Sequence, residues 1–221
     1  MRAETRNRWV CYLIGMFVLA LGLTLNTKTG LGVSPIVSVA FCVSQLLELN
    51  FGDMTFLLYV LFVIAQFWIR GKQRRMSDLL QIPLSLVFSR VLNLYDALIL
   101  YDSTKASFLS NLLLLLAAVL LTGIGVSMTV NMRLVPNPGD GIVAALAQRM
   151  GWEQGVGKNV FDVCCVILTC GIGLLASGHI IGIGVGTVIA MLGVGRAISL
   201  VNGLFQEKMC RSAGLEQPAH S

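Results

Sequence analysis

The sequence predicts an all-α, polytopic membrane helical bundle made of two inverted repeats, each with three spanning helices and one short re-entrant helix. The first observation behind this prediction is composition. Of 221 residues, 56% are hydrophobic and only 12% are charged, whereas a soluble domain carries about 25% charged residues. A water-soluble fold of this size could not bury so much apolar side chain. The composition therefore excludes a soluble enzyme, a nucleic-acid-binding protein, a disordered chain and a secreted disulfide scaffold.

The second observation is the length of the apolar runs. Most contain about 16 to 25 residues, the length that crosses a hydrocarbon core of about 30 Å. The first run follows three arginines, as a signal peptide would, but it recurs later in the chain, which favours a membrane helix. The runs are 9–27, 33–49, 54–69, 76–101, 108–130, 139–150, 156–178 and 180–205. The polar residues 209–221 are interpreted as a disordered cytoplasmic tail.

The third observation is an internal duplication of about 100 residues. Ordered matches of proline, glutamine, glycine and arginine are not expected by chance in a leucine-rich composition. The first membrane repeat is therefore assigned to residues 1–104 and the second to residues 105–208. A shift of 103 aligns Gly22 with Gly125, Pro35 with Pro138, Gln45 with Gln148 and Gly52 with Gly155, and a shift of 106 aligns Arg90 with Arg196.

One run in each repeat is too short to span the membrane. Pro35 and Pro138 suit a first helical turn, because proline has no N–H to leave unpaired, and Ser34 and Asn137 precede them as cap residues. A helix of about 14 residues measures about 21 Å. The run 33–49 is apolar enough that a tilted full span remains an alternative.

The basic residues favour the same topology. If all eight runs spanned, the cluster at 70–75 would lie outside, against the positive-inside tendency. If the two short helices return to their own side, only Lys28 and Lys105 lie outside. Each half then has three spans, so the halves have opposite orientations, as in many secondary transporters. Both termini are predicted to be cytoplasmic.

Three segments resemble a known family. Gly22-x(7)-Gly30-Leu31-Gly32-Val33-Ser34-Pro35, the shorter copy Asn137-Pro138-Gly139-Asp140-Gly141 and the stretch Gly182-Ile183-Gly184-Val185-Gly186-Thr187 are similar to those of the bacterial YczE/YyaS-like membrane proteins. The resemblance covers residues 9–205 and implies a bacterial inner-membrane location. It also implies an acidic residue at the start of each short helix. This chain keeps Asp140 but has Val37 at the matching position of the first half.

Arg90 and Arg196 are the sharpest candidate site residues. Each lies inside an apolar run, at repeat-equivalent positions, and a charge at the centre of a bilayer costs about 3 kcal/mol on the most lenient scale. One interpretation is a pair of cations that binds an anionic solute near the axis relating the halves. The alternative is structural, with each arginine paired to a carboxylate or capping backbone carbonyls.

Further candidates surround the short helices. The loops 26–35 and 129–138 leave backbone groups unpaired, which membranes tolerate beside a cavity or inside protein, and helix N-termini attract anions. Asp140 is predicted to couple protons, to pair with Arg196 or to favour the helix dipole. Asp162 is spaced for a local ion pair with Lys158 and is a second ion-coupling candidate. The predicted substrate-binding residues are Arg90, Arg196, Ser34, Pro35, Asn137, Pro138, Gly139, Asp140, Gln45 and Gln148.

A stripe of small residues follows one face of the last apolar run. Gly182, Gly186 and Ala190 recur at a spacing of four, and small residues let membrane helices approach closely. The stripe predicts internal packing or, alternatively, a homodimer surface.

These observations predict a small secondary transporter of an organic anion or zwitterion that works by alternating access. The alternative is a non-transporting scaffold or regulator that binds another membrane protein. No Walker loop, metalloprotease motif or serine-hydrolase motif is present in the sequence, so no enzymatic activity, cofactor or metal is predicted. The expected partners are the lipid bilayer and a small anionic solute, and no nucleic acid.

Overall fold

The chain folds into a helical bundle, described here for residues 3–74 and 76–215 of a computed structural model. Within these residues there are eight α-helices, which confirms the predicted all-α class. Five of them, α1, α3, α5, α7 and α8, are long and apolar enough to cross a bilayer, so the chain is a multi-pass membrane protein. The helices are α1 Ala3–Lys28, α2 Pro35–Leu47, α3 Phe51–Arg70, α4 Gln81–Leu98, α5 Phe108–Asn131, α6 Pro138–Met150, α7 Gln154–Ser177 and α8 Val185–Ser212.

Helix α4, expected as a sixth span, is not among these five. It is 18 residues long and follows a 3-10 turn at Met76–Leu80. Polar residues lower its hydropathy, and several of them face α3. Gln81 exchanges two amide hydrogen bonds of 3.1 Å with Gln66 of α3, and Asn93 accepts from the backbone N–H of Gly52 at 2.8 Å. These contacts are interhelical hydrogen bonds of the kind that hold membrane helices together.

The order long, short, long, long occurs twice along the chain. Each short helix has 13 residues and a proline in its first turn. Each also ends on a left-handed residue, Glu48 in one case and Gly151 in the other. Thirteen residues rise about 20 Å, less than the hydrocarbon core of about 30 Å. The predicted shortness of these two helices is confirmed.

Helices α1 and α5, the first of each half, run antiparallel and in close contact. The guanidinium of Arg8 donates to the carbonyl of Met132 at 2.8 Å, near the start of α1 and the end of α5. Further along α1, a Cβ on Gly22 would lie 2.6 Å from the backbone N of Thr122. Only glycine permits this approach, because any larger side chain would meet the backbone of α5.

Within each half the first and last helices run parallel. In the second half, a Cβ on Gly123 of α5 would lie 2.4 Å from the Cβ of Ala197 of α8, and Asn131 donates to Asn202 at 2.8 Å. In the first half, Lys28 at the end of α1 pairs with Asp96 near the end of α4 at 2.7 Å, while Tyr12 and Leu84, nearer the starts, share one apolar cluster. Parallel first and last helices require an odd number of crossings between them, which is met if α3 or α7 crosses and the short helix of that half does not.

The loop before α8 packs inside the molecule. The N–H of Val33 donates to the carbonyl of Gly182 at 2.8 Å, and the N–H of Gly186 donates to the carbonyl of Leu31 at 2.7 Å. Ala190 is buried in an apolar cluster between α5 and α8. Gly182, Gly186 and Ala190 thus pack inside the chain, as the internal-packing alternative predicted, because their small size permits these close contacts. The homodimer surface stays a prediction.

The predicted polar tail begins later than expected. Helix α8 continues through 209–212 to Ser212, whose carbonyl accepts from Asn7 of α1 at 3.0 Å. Ala213 is buried with Tyr12 and Met132, so apolar contacts with α1 extend the helix beyond residue 208. The predicted tail residues 216–221 and the predicted basic residue Arg75 lie outside the described residues.

Candidate functional site

A cavity of about 370 Å³ lies between the two halves. Residues from both short-helix starts line it, together with residues of α1, α3, α5, α7 and α8. Its volume falls in the range of small-molecule sites, which are mostly apolar with a few polar groups. The apolar lining is Leu19, Leu23, Ile36, Val126, Val130, Val143, Val194 and Ile198, and the remaining lining is Ser34, Tyr59, Thr122, Asn137, Asp140, Gln154, Gly155 and Lys158.

Both signs of charge line this cavity. Asp140 lies in the first turn of α6, and Lys158 lies in the first two turns of α7. Lys158 is the positive charge that acts on Asp140, and Asp162 is a negative charge within reach of it. Asn137 and Asp140 are in turn the polar groups that act on the Tyr59 hydroxyl of α3. The cavity can therefore receive a carboxylate at Lys158 and an ammonium group at Asp140.

The two short helices present different N-termini. In α6 the side chain of Asn137 caps the helix by accepting from the N–H of Gly139 at 3.0 Å, and Asp140 adds a negative charge to the same turn. In α2 the cap residue Ser34 makes no side-chain cap, and Ser34 and Ile36 line the cavity. The positive end of α2 is thus the one available to an anion.

Behind the cavity wall, Lys158 forms the predicted ion pair with Asp162, with Nζ 2.7 Å from Oδ2. The Asp162 side chain is fully buried, whereas the Lys158 side chain is one-third exposed. The second carboxylate oxygen of Asp162, Oδ1, has no hydrogen-bond partner among the described residues. A buried carboxylate with a free oxygen is unusual, because buried polar groups are nearly always satisfied.

Repeat-equivalent glycines differ sharply in their surroundings. A Cβ on Gly52 would lie 2.3 Å from the carbonyl of Ser89, so α3 is closed tightly on α4 at this end. A Cβ on Gly155 would have no neighbour within 4 Å, and Gly155 lines the cavity. Helix α7 is not packed along α8 as α3 is packed along α4. The cavity therefore opens beside the start of α7, while the equivalent position of the first half is shut.

The two predicted arginines do not meet in the cavity. Arg90 forms an ion pair with Asp53 of α3, and Asn93 also donates to Asp53 at 3.0 Å. Arg196 is an exposed residue of α8 outside the cavity lining. The structure does not bring the two arginines together, contrary to the expectation that they bind one anion. Arg90 instead pairs with a carboxylate on the neighbouring helix, as the structural alternative predicted, because α3 and α4 pack closely at this end.

The other predicted site residues separate into two groups. Ser34, Asn137 and Asp140 line the cavity. Asp162 does not line it but pairs with Lys158, which does. Pro35, Pro138 and Gly139 are buried at the helix starts, where the Pro138 carbonyl accepts from Gln66 at 3.2 Å. Gln45 and Gln148 are exposed outside the cavity. The structure corrects their assignment as cavity-lining residues, because both lie near the outer ends of their short helices.

Sequence reasoning missed three contributions. Lys158 was treated only as a partner of Asp162, although it is the cation of the cavity. Tyr59 had a detectable signal, since it is the repeat counterpart of Asp162. The buried amide pair of Gln66 and Gln81 also had a signal, because each is a polar residue beside or within an apolar run.

Comparison with known proteins gives a family. A model of the DUF6198 family matches residues 6–203, nearly the whole chain. The chain belongs to the DUF6198 family. That family is described as one of unknown function, and the narrower resemblance to YczE/YyaS-like proteins stays a prediction. No curated protein and no solved structure matches the chain. Among the described residues, no three His, Cys, Asp or Glu side chains are grouped so that they could hold a metal ion.

Proposed function

We propose that the protein is a small secondary transporter that carries a carboxylate-bearing solute by alternating access. The observation that carries this proposal is the unequal closure of equivalent positions, with Gly52 shut against α4 and Gly155 open at a cavity between the halves. In transporters built from inverted repeats, the two halves exchange such conformations around a central site. A purely structural scaffold has no need of an open cavity that is bordered by both halves and carries charged groups of both signs.

The helix directions support an inverted arrangement of the repeats. Helices α1 and α5 are antiparallel, and in each half the first and last helices are parallel. Three spans and one non-crossing short helix per half produce this pattern, whereas eight alternating spans would make α1 and α5 parallel. The positive-inside tendency of the basic residues supports a topology with both termini in the cytoplasm of a bacterial cell. On this topology the open end of the cavity faces the cytoplasm.

The chemistry of the cavity favours a small anion or zwitterion with an apolar body. Lys158 and the uncapped start of α2 attract a carboxylate, and Asp140 can pair with an ammonium group. Leucine, 4-methylpentanoate and 3-methylbutylamine share one branched skeleton. Leucine carries both charged groups, 4-methylpentanoate carries only the carboxylate, and 3-methylbutylamine carries only the amine. They form a matched set of probes for this site.

The test is binding and uptake by the purified full-length protein. Binding of the three probes is measured by calorimetry in detergent, and uptake of the radiolabelled carboxylates is measured in proteoliposomes. We expect 4-methylpentanoate or leucine to bind and to be taken up, and 3-methylbutylamine to fail. Lys158→Gln should weaken carboxylate binding at least about tenfold, equivalent to about 1.4 kcal/mol, while Lys105→Gln in the exposed loop before α5 should leave it unchanged.

Two results would oppose the proposal. Binding of no carboxylate by the wild-type protein would remove the solute site and favour the scaffold alternative. Binding without uptake, in liposomes with intact permeability barriers, would leave a ligand-binding membrane protein that does not transport.

A further inference from the structure

The Lys158–Asp162 pair has a feature that solute binding alone does not explain. Asp162 is fully buried, its Oδ2 is bonded to Lys158 at 2.7 Å, and its Oδ1 has no partner among the described residues. A carboxylate held only for structure would use both oxygens. Lys158 faces the cavity on its other side. The ion pair therefore connects the solute cavity with a buried acid for which the described residues provide no second cation.

We propose that Asp162 couples proton movement to solute binding, taking up one proton when a solute carboxylate draws Lys158 away from it. The proposal rests on the proposed solute site. In the empty protein Lys158 balances the Asp162 carboxylate. In the loaded protein Lys158 balances the solute carboxylate, and a proton from water binds the Asp162 carboxylate oxygen. No bond other than this O–H forms, and the site carries the same net charge before and after.

The physical reason lies in the surroundings of Asp162. An ionised carboxylate without a partner is strongly disfavoured away from water, and such a group takes a proton instead. Asp140 lines the cavity itself and is assigned to the ammonium group of a zwitterionic solute, whereas Asp162 lies behind the cavity wall. The titratable groups that interact with Asp162 among the described residues are Lys158 and Cys165 on α7 and Asp140 on α6.

The repeat supports a specific role for this position. The counterpart of Asp162 in the first half is Tyr59, and the counterpart of Lys158 is Thr55. Thr55 is buried and bonds only within its own helix, to the carbonyl of Phe51 at 2.8 Å. The Lys158–Asp162 pair is therefore not repeated at the equivalent residues Thr55 and Tyr59 of the closed half. Its presence on the open half alone places it with the cavity.

The experiment measures protons taken up when 4-methylpentanoate binds the full-length protein. Calorimetry in two buffers of different ionisation enthalpy gives the number of protons per bound ligand. We expect about one proton for wild type, and an affinity that falls about tenfold per pH unit as the pH rises, because binding and protonation are linked. Asp162→Asn should still bind the ligand but take up no proton. The matched control is Asp102→Asn, a carboxylate in the exposed loop before α5.

A second measurement does not depend on a variant that folds. Infrared difference spectra of the wild-type protein should gain the carbonyl band of a protonated carboxylic acid when 4-methylpentanoate is added. Ligand binding without proton uptake and without this band would overturn the inference and leave the proposed transporter intact. Proton uptake that persists in a folded Asp162→Asn protein would also overturn it. Failure of the wild type to bind the ligand would overturn the proposed site together with the inference.

Discussion

The ion pairs of this protein include some that join neighbouring elements and one that borders the cavity. Asp53 with Arg90 joins α3 to α4, and Arg70 with Asp78 joins the other end of α3 to the turn before α4. Lys158 with Asp162 lies within a single helix and leaves the lysine facing the cavity. Position in the fold, rather than residue type, decides which cation can meet a solute.

Asp140→Asn should separate the two solute classes. Among the described residues, Asp140 supplies the one carboxylate that lines the cavity, so its removal should weaken binding of leucine at least about tenfold if the ammonium group pairs there. Binding of 4-methylpentanoate should hold or improve, because a negative charge near Lys158 is lost. Calorimetry with both probes checks this, and equal losses for the two probes would contradict the assigned role of Asp140.

Arg90→Gln should weaken the contact between α3 and α4 without reducing solute binding in the cavity. The ion pair with Asp53 is half-exposed, and such a pair contributes about 1 kcal/mol at most. We therefore expect a folded protein, unchanged affinity for 4-methylpentanoate and more labelling of the α3–α4 contact by thiol reagents at Ser89→Cys. If the affinity fell as far as it does in Lys158→Gln, Arg90 would be a binding residue after all.

At the scale of elements, glycines decide which helices can touch. Gly22 and Gly125 bring α1 and α5 together, and Gly52 lets α3 close on α4. A side chain added at such a position meets backbone atoms, and overpacking of this kind costs about 1–3 kcal/mol or more. Gly155 has the same place in the second half but open space around it. Gly52 and Gly155, at equivalent positions of the two halves, therefore lie in a closed contact and an open one.

Gly155→Trp should stop transport while leaving the fold intact. The ring has room in this conformation, but it would occupy the cavity mouth and prevent α7 from closing on α8. We expect an unchanged thermal midpoint and loss of 4-methylpentanoate uptake in proteoliposomes. Gly171→Trp is the matched control, because it lies on the same helix, also with open space around its Cβ. Normal uptake in Gly155→Trp would argue against closure of α7 on α8.

For the whole molecule, the topology follows from helix directions and charge. Parallel first and last helices in each half agree with short helices that return to their own side. The same topology places nearly all loop lysines and arginines on one side, which the positive-inside tendency favours. On the proposed topology, the cavity opens to the cytoplasmic side.

Single cysteines in a background without the six native cysteines test this topology. Asn50→Cys, between α2 and α3, should react with a membrane-impermeant thiol reagent on intact cells. Lys72→Cys, after α3, should react only after lysis. Both residues are exposed, so neither change should disturb packing. The reverse pattern would mean eight spans and would remove the paired short helices from the proposed site.

The helical membrane class, the two short helices that begin at Pro35 and Pro138 and the local Lys158–Asp162 pair could be predicted from the sequence. These features depend on composition and on spacing along one helix, which are local properties of the chain. The contact of Arg90 with Asp53, the positions of Gln45 and Gln148 outside the cavity and the contact of Gly182 with Val33 could be read only from the folded chain. Those outcomes depend on which helix faces which, and on the unequal closure of two similar halves. Two segments with matching sequence can adopt different contacts, because packing against the rest of the bundle selects between them.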